Sequence, residues 1–197
     1  MDKPQLFVIA GPNGAGKSMI SKWLLGEDVD VFDGDKLQKE LSDIYPDTNW
    51  EGLRHLSAQI FEAKWQKAIQ THEDFAYETN FTFPQSIQLP IHFKENGYET
   101  NLFHIGLDNI QKSTDRVNMR VAEGGHDVDN GSIELNFNGG IFHITKHFAF
   151  FDRLLFIDNP ISTKPRIVLY AESGVIMRKT EPLPGWVTEH FTETVSS

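Results

Sequence analysis

Short apolar runs alternate with stretches of helical periodicity along most of the chain. Each apolar run is bounded by polar or glycine-containing turns, which predicts a buried strand. The predicted strands cover residues 6–10, 29–32, 75–79, 100–107 and 154–157. The predicted helices cover residues 17–26, 50–71, 84–96 and 108–123. Strands that alternate with helices predict an α/β fold with a mainly parallel sheet.

The second half of the chain carries two further patterns. Residues 108–150 predict a helical lid, whose first helix would be capped by Asp108 and would end before Gly124 and Gly125. After these glycines the helical pattern blurs. Residues 166–179 predict an antiparallel hairpin, because two apolar runs flank a short polar turn.

The composition is that of an ordinary globular domain, with 39% hydrophobic and 23% charged residues. No linker rich in Pro, Gly or Ser divides the chain, so we expect a single domain over residues 1–197. No apolar run approaches the ~20 residues that span a bilayer, and no leader pattern precedes the first strand. The absence of cysteine excludes disulfides, zinc–thiolate sites and thiol catalysis. Together these features favour a cytoplasmic protein.

The charge balance is acidic, since 28 Asp and Glu residues outnumber 18 Lys and Arg residues for a formal net charge of −10. Unselective binding to nucleic acid or to an anionic membrane requires basic patches. The balance therefore argues against both partners. A few local Lys and Arg side chains can still line a pocket for a phosphorylated small molecule.

Residues Gly11–Ser18 fit the pattern Gly-x-x-x-x-Gly-Lys-Ser/Thr in full. In such a loop the glycines let successive backbone N–H groups point at phosphate oxygens, and the following helix adds its positive end. Lys17 supplies a charge for the β- and γ-phosphates, and the Ser18 hydroxyl coordinates Mg²⁺. A glycine-rich turn without function is the alternative, but the strand before it and the helix after it favour ATP or GTP binding. The candidate nucleotide-binding residues are Gly11, Asn13, Gly14, Ala15, Gly16, Lys17 and Ser18.

Two acidic clusters follow or end predicted strands, namely residues 33–35 (Asp-Gly-Asp) and residues 78–80 (Glu-Thr-Asn). Ligands of parallel α/β sheets bind at the carboxyl ends of the strands, so both clusters are expected beside the phosphate loop. A kinase needs a carboxylate that accepts the proton of the attacking hydroxyl group, and a second one can hold Mg²⁺ or its water. The alternative is that one aspartate caps the helix near Lys36 while the other acids are solvated.

The phosphate loop is the first of six short motifs along the chain. In chain order, the six motifs are Gly11–Ser18, Phe32–Asp35, Glu78–Thr82, Gly97–Thr100, Arg116–Val128 and Asp158–Asn159. Over roughly residues 5–160 the chain therefore resembles the zeta-toxin-type kinases. The resemblance implies a three-layer P-loop kinase with a helical lid, which transfers the γ-phosphoryl group of ATP or GTP to a hydroxyl group. The best-studied members phosphorylate a UDP-activated amino sugar, and other relatives phosphorylate nucleotides or other small hydroxyl compounds.

Carried onto this sequence, the resemblance implies a role for each candidate catalytic residue. Asp35 would be the general base on the acceptor hydroxyl group, and Lys17 would contact the transferring phosphate. Glu78 would lie beside the substrate and the metal, with Thr79 in its support. If the protein is a toxin, the resemblance also implies an inhibitory antitoxin protein as a partner.

Arg116 and Arg120 lie four residues apart and therefore on one face of the first lid helix. Cationic side chains from a mobile segment commonly stabilise the charge that develops during phosphoryl transfer. The alternative is a solvated helical face on which the arginines pair with Asp115 or Glu123. Their position in the motif and the resemblance favour the catalytic interpretation, and we expect both arginines on an exposed face.

One segment of the predicted lid departs from the family. Relatives carry an arginine-rich run where this chain has Glu134, Leu135 and Asn136, and the next turn contains Gly139 and Gly140. Each glycine weakens a helix by about 1 kcal/mol relative to alanine. Three interpretations stay open: Arg116 and Arg120 supply enough phosphate-clamping charge, Lys146 or Arg153 substitutes, or the kinase is weakened. If the kinase is weakened, we expect arginine in place of Asn136 to raise turnover.

Three alternatives to a nucleotide-sugar kinase stay open. The first is a nucleoside or antibiotic kinase, the second is a polynucleotide-end kinase, and the third is an inactive NTP-binding regulator. The acidic charge disfavours the polynucleotide substrate. The missing arginines favour the regulator.

Overall fold

The structure is a computed structural model that describes residues 3–122, 128–160 and 164–195. Within these ranges the strands are β1 (Gln5–Ala10), β2 (Val31–Phe32), β3 (Phe75–Thr79), β4 (Glu99–Gly106), β5 (Arg153–Asp158), β6 (Arg166–Glu172) and β7 (Val175–Lys179). They form one sheet in the order β2-β3-β1-β4-β5-β6-β7. The first five strands pair in parallel, whereas β6 and β7 are antiparallel to their neighbours.

Helices connect the strands and cover the sheet. They are α1 (Lys17–Leu25), α2 (Gly34–Ile44), α3 (Trp50–Thr71), α4 (Gln88–Glu95), α5 (Ile110–Ala122), α6 (Asn130–Lys146), α7 (Gly185–His190) and α8 (Thr192–Val195). A short 3₁₀-helix, Pro84–Ile87, precedes α4. In the described part of the chain, none of these helices combines the length and apolar character that crossing a membrane requires.

Alternate side chains of the strands enter two hydrophobic cores on opposite faces of the sheet. In β1, Leu6 and Val8 enter the larger core, whereas Ile9 enters the smaller one. The larger core also contains residues of α3, α4, α6 and α7, and the smaller core contains Ile20 of α1. Burying one such aliphatic side chain stabilises the fold by about 1.5–3 kcal/mol. The sheet thus lies between two helical layers, which confirms the predicted three-layer α/β fold.

Most elements lie where the sequence pattern predicts them. The helix at residues 50–71 and the strand at residues 75–79 agree to the residue, and β6 and β7 confirm the hairpin at residues 166–179. The strand predicted at residues 29–32 is shorter, because only Val31–Phe32 pairs with β3.

The predicted cap of α5 is wrong by one residue. The helix begins at Ile110, and Asn109 Oδ1 accepts a hydrogen bond from the Lys112 backbone N–H at 2.9 Å. Asn109 directly precedes the first helical residue, so its side chain reaches the free amide of the first turn. Asp108 instead forms an ion pair with the Lys112 side chain. The helix end predicted at residues 123–125 lies outside the described residues.

Helix α6 passes very close to the segment that follows β3. A Cβ atom on Gly139 would lie 2.6 Å from the Thr82 carbonyl oxygen, and one on Gly140 would lie 2.7 Å from the Asn80 carbonyl oxygen. Both distances are shorter than the 3.0 Å that Cβ atoms respect, so only glycine permits this approach. The two glycines predicted to weaken the helix therefore provide the contact that holds α6 against residues 80–82.

Replacing Gly140 by alanine tests which of these two effects dominates. Helix propensity alone predicts that Gly140→Ala raises the free energy of unfolding by about 1 kcal/mol. We expect a loss of about 1–3 kcal/mol instead, because the new methyl group would meet the Asn80 backbone. Urea denaturation measures the change, with Gly185→Ala as the control because a Cβ atom there would meet nothing within 4 Å. A more stable Gly140→Ala variant would contradict the close approach.

The parallel pairing brings the carboxyl ends of five strands to one edge of the sheet. The phosphate loop follows β1, and residues 33–35 follow β2. Glu78 lies at the end of β3, and Asn159 follows β5. The fold therefore collects the predicted site positions at one edge, as expected for ligands of parallel α/β sheets.

Candidate active site

A loop with two left-handed glycines joins β1 to α1. Gly14 has a φ of 76° and Gly16 has a φ of 86°, values that glycine adopts without steric strain. Helix α1 begins directly afterwards at Lys17, so the free N–H groups of its first turn face the same space as the loop. The loop has the backbone form that suits an anionic phosphate group.

The outer side of this loop is held by side chains. The carbonyl oxygens of residues 11–15 all accept hydrogen bonds from side-chain donors. The donors are Lys17 for residues 11 and 12, Ser113 for residue 13, Arg116 for residue 14 and Asn159 for residue 15. Buried carbonyl groups without a partner are costly, so these bonds stabilise the curled backbone. The loop is thereby fixed by α1, by α5 and by the residue that follows β5.

Lys17 joins the loop to the end of β3. Its Nζ atom donates to Asn80 Oδ1 at 2.9 Å, in addition to the Gly11 oxygen at 2.9 Å. Burial lowers the pKa of the Lys17 amine, while the charges of Glu78 and the two nearby aspartates act in the opposite direction. The ammonium group therefore lies between the phosphate loop and the acidic clusters.

Ser18 lies at the meeting point of the two acidic clusters. Its hydroxyl oxygen lies 3.1 Å from Glu78 Oε2 and 3.4 Å from Asp33 Oδ2, so the single proton can be donated to either carboxylate. Carboxylate and hydroxyl oxygens are ligands that Mg²⁺ prefers. These three residues therefore have the oxygen atoms that would hold a magnesium ion.

The two aspartates of residues 33–35 have different surroundings. Asp33 caps α2, because its Oδ1 atom accepts hydrogen bonds from the backbone N–H groups of Asp35 at 3.0 Å and of Lys36 at 3.1 Å. This confirms that one of the two caps the helix. Asp35 is exposed in the first turn of α2 and lines the cleft beside the loop. Its carboxylate is therefore accessible to a ligand.

Glu78 is the most strongly perturbed carboxyl group of the cleft. Burial raises its pKa from 4.5 to about 7, and the negative charge of Asp33 adds to this shift. The Lys17 charge and the Ser18 hydroxyl group oppose it. A carboxyl group with a pKa near neutrality is half protonated there, and a cation close to it favours the ionised form.

The two arginines of α5 point into the same cleft and are half-buried. Arg116 Nη2 donates to the Asn159 carbonyl oxygen at 2.8 Å, and Arg116 Nη1 donates to the Gly14 oxygen at 3.3 Å. The expectation of an exposed helical face is therefore wrong for Arg116 and Arg120. The reason is that α5 lies against the phosphate loop, so its basic side is turned inward.

The cleft has a volume of about 430 Å³ and brings most of the predicted residues together. Predicted residues that line it are Asn13, Gly14, Gly16, Lys17, Ser18, Asp35, Glu78, Thr79, Arg116 and Arg120. Gly11 and Ala15 are buried in the loop rather than in the cleft wall. Thr79 Oγ1 accepts a hydrogen bond from the Phe81 backbone N–H at 2.9 Å, which shapes the turn after β3.

Sequence reasoning missed three amide side chains of the site. Asn80 contacts Lys17, Asn159 contacts the loop at Ala15, and Asn136 contacts Asn13. Asn80 lies in a polar cluster that the sequence already exposes, and Asn159 follows an apolar strand. No sequence signal marks Asn136 as a contact of the loop, because its partner is 123 residues away.

The cleft combines a phosphate loop, carboxylates at neighbouring strand ends and arginines from the following helix. The zeta toxin family model matches residues 1–160. The chain belongs to the zeta toxin family. An uncharacterized protein of Haemophilus influenzae is 28% identical over 123 residues, which cover 59% of this chain and 80% of that protein.

Solved structures share the fold of this zeta toxin family chain. The complex of AvrRxo1-ORF1 and AvrRxo1-ORF2 with sulphate ions gives a TM-score of 0.70 at 13% identity, over 99% of this chain and 64% of that one. The PezAT toxin–antitoxin system of Streptococcus pneumoniae gives 0.65 at 17% identity, over 100% of this chain and 84% of that one. At such identities the likeness shows a shared fold. This chain spans less than two thirds of the AvrRxo1 chain.

The raised pKa of Glu78 predicts a pH-dependent stability. The folded protein holds the proton more tightly than the unfolded chain, so stability falls as the pH rises from about 4.5 through about 7. The loss is at most about 3 kcal/mol. Because glutamine cannot ionise, Glu78→Gln should lack this loss. Its free energy of unfolding should therefore rise relative to that of the wild type as the pH increases from about 4.5 to about 7.

Urea titrations at intervals from pH 4 to pH 8 measure this difference. The exposed Glu95 of α4 provides the control, since Glu95→Gln should follow the wild-type curve. Parallel curves for the wild type and Glu78→Gln would show that Glu78 ionises normally.

Proposed function

We propose that this zeta toxin family chain is a kinase that transfers the γ-phosphoryl group of ATP or GTP to a hydroxyl group of a small molecule. The observation that carries the proposal is the convergence in one cleft of Lys17 and Ser18 with the carboxylates Asp35 and Glu78. Phosphoryl transfer needs fixed cations beside the phosphate and a base beside the acceptor. The family resemblance makes a UDP-activated amino sugar the acceptor to test first.

Nucleotide binding is supported by the form of the loop and by the fold. The glycine φ angles and the start of α1 suit a triphosphate. A structure described as AvrRxo1-ORF1:-ORF2 with ATP shares the fold at a TM-score of 0.68 and 13% identity. Ser18, Glu78 and Asp33 would hold the magnesium ion, which neutralises phosphate charge when it is bound.

The proposed transfer divides the chemistry between the two sides of the cleft. Asp35 accepts the proton of the acceptor hydroxyl group, whose oxygen forms a bond to the γ-phosphorus. The bond between that phosphorus and the β–γ bridging oxygen breaks, and the nucleoside diphosphate leaves. Lys17, Arg116 and Arg120 stabilise the negative charge that spreads over the phosphate oxygens.

The family resemblance also suggests a protein partner that inhibits the chain. The PezAT structure is described as part of a toxin–antitoxin system. We therefore propose that an antitoxin would bind this chain if it is toxic. Co-purification of the chain with products of neighbouring genes tests that part of the proposal separately from the chemistry.

A mass-shift screen tests the activity. The chain is incubated with magnesium and ATP or GTP, and with separate pools of UDP-amino sugars, nucleosides, antibiotics and 5′-hydroxyl oligonucleotides. A gain of one phosphoryl group on one pool identifies the acceptor class. Nucleotide binding without transfer to any pool would favour the inactive regulator.

Asp35 and Lys17 should respond differently to substitution. Asp35→Asn removes the base and should lower turnover by about 10²–10⁴-fold while nucleotide affinity changes little. Lys17→Ala should abolish transfer and also weaken nucleotide binding, because its charge faces the phosphates. Single-turnover rates and nucleotide titrations measure both effects, with the exposed Asp43→Asn of α2 as the control. Equal losses of nucleotide affinity in both variants would give Asp35 a metal-binding or structural role.

The arginines of α5 should matter for the rate of transfer. Removing a cation that stabilises the transferring group costs up to about 10³–10⁵ in rate. We expect Arg120→Ala and Arg116→Ala each to slow single-turnover transfer severely at saturating nucleotide. Lys112→Ala is the control, since Lys112 lies on the same helix and pairs with Asp108. Full activity in both arginine variants would show that other residues supply the charge that stabilises the transferring phosphate.

A further inference from the structure

Asn136 of α6 connects two segments that border the cleft. Its Oδ1 atom accepts a hydrogen bond from Thr82 Oγ1 at 2.8 Å, and its Nδ2 atom donates to Asn13 Oδ1 at 2.8 Å. Thr82 belongs to the segment after β3, and Asn13 belongs to the phosphate loop. One amide group on α6 therefore bridges the phosphate loop and the segment after β3.

Both ends of this bridge are buried and lead to Lys17. Asn13 and Thr82 expose only 5% and 6% of their surface, so their polar groups depend on partners inside the protein. On one side, Asn13 belongs to the loop whose carbonyl groups bond Lys17. On the other side, Thr82 fixes the segment in which Asn80 accepts a hydrogen bond from Lys17 Nζ. Asn136 thus links the two segments whose groups hold the Lys17 ammonium.

In the bridge, the Asn136 amide accepts one hydrogen bond and donates another. An asparagine amide does both, whereas a guanidinium group has donors but no acceptor. Arginine at position 136 could donate to Thr82 Oγ1 but could not accept the hydrogen bond that the Thr82 hydroxyl group donates to Asn136. The expectation that Asn136→Arg raises turnover therefore does not agree with the contacts of Asn136. The departure from the arginine-rich run has a structural explanation in the two bonds of this amide.

We propose that Asn136 is a positioning residue, which holds the phosphate loop and residues 80–82 in the register that orients Lys17 toward the nucleotide. The proposal rests on the proposed function only in that Lys17 binds nucleotide phosphate, and it does not depend on the acceptor. Asn136 itself contributes no charge. Gly139 and Gly140, one turn further along α6, keep the helix close enough for the bridge.

The matched control lies on the same helix. Asn138 is exposed and two residues away, so Asn138→Ala removes an equal amide without touching the bridge. We expect the affinity for magnesium–ATP, measured by isothermal titration, to fall about tenfold or more in Asn136→Ala and in Asn136→Arg. Asn138→Ala should bind within twofold of the wild type. Equal affinities for Asn136→Ala and Asn138→Ala would overturn the proposal.

Thr82 supplies the conservative rescue. Thr82→Ser keeps the hydroxyl donor and should bind ATP nearly as the wild type does, whereas Thr82→Val removes it and should weaken binding severalfold. If Thr82→Ser and Thr82→Val weaken ATP binding equally, the effect comes from packing rather than from the hydroxyl group. That result would contradict the proposed role of the hydrogen-bond bridge.

A double-mutant cycle separates positioning from general damage to the fold. If Asn136 acts through Lys17, then Asn136→Ala should change ATP affinity only slightly in a Lys17→Ala background. Equal fold-losses with and without Lys17 would contradict the proposal. The titrations do not require transfer, so a protein that binds ATP but phosphorylates nothing refutes the proposed function while the cycle still decides on Asn136. A wild type that binds neither ATP nor GTP refutes both.

Discussion

A phosphate loop has to turn its backbone N–H groups inward, and its carbonyl groups must then find partners on the outside. In this chain the carbonyl oxygens of residues 11–15 all accept hydrogen bonds from side chains, those of residues 11 and 12 from Lys17 within the loop and the others from α5 and from Asn159. Two of these donors, Lys17 and Arg116, are also predicted to act on the transferring phosphate. The same side chains therefore stabilise the loop and line the cleft, so the shape of the loop and its chemistry are not separable.

Part of the family resemblance serves the fold rather than the chemistry. Residues 97–100 lie at the amino end of β4, on the edge of the sheet opposite the cleft. The Tyr98 hydroxyl oxygen lies 2.7 Å from the Ala68 carbonyl oxygen and 2.8 Å from that of Glu73, so its single proton can be donated to either, which joins the end of α3 to the sheet. Thr100 bonds the Asp152 carboxylate through both its backbone N–H and its hydroxyl group. These contacts explain a motif that has no place in the mechanism.

Local patterns predicted the strands and the long helix, because apolar runs and helical spacing depend on neighbouring residues alone. The carboxylates of the cleft could also be predicted, since parallel strands place their carboxyl ends at one edge. Helix α6 falls within the helical lid predicted at residues 108–150, but its bounds could not be predicted, because Gly139 and Gly140 argue against a helix unless the close approach to residues 80–82 is known. The contact between Asn136 and Asn13 joins residues 123 apart and leaves no local trace. What the sequence misses is therefore the set of tertiary contacts that override local propensity.

The charges of the cleft are divided in a way that matches the division of the proposed reaction. Lys17, Arg116 and Arg120 come from the loop side and from α5, whereas the carboxylates come from β3 and from the start of α2. On the acidic side, burial and the neighbouring Asp33 raise the pKa of Glu78 to about 7, so full ionisation of this cluster is unfavourable without additional positive charge. A magnesium–nucleotide complex would supply that charge at Ser18, between the two sides.

Asp35 is exposed, and it is not one of the two carboxylates that contact Ser18, which are Glu78 and Asp33. Its carboxylate is therefore available to act as the proposed base for the acceptor hydroxyl group. The proposed metal-binding acid and the proposed general base thus differ in their surroundings.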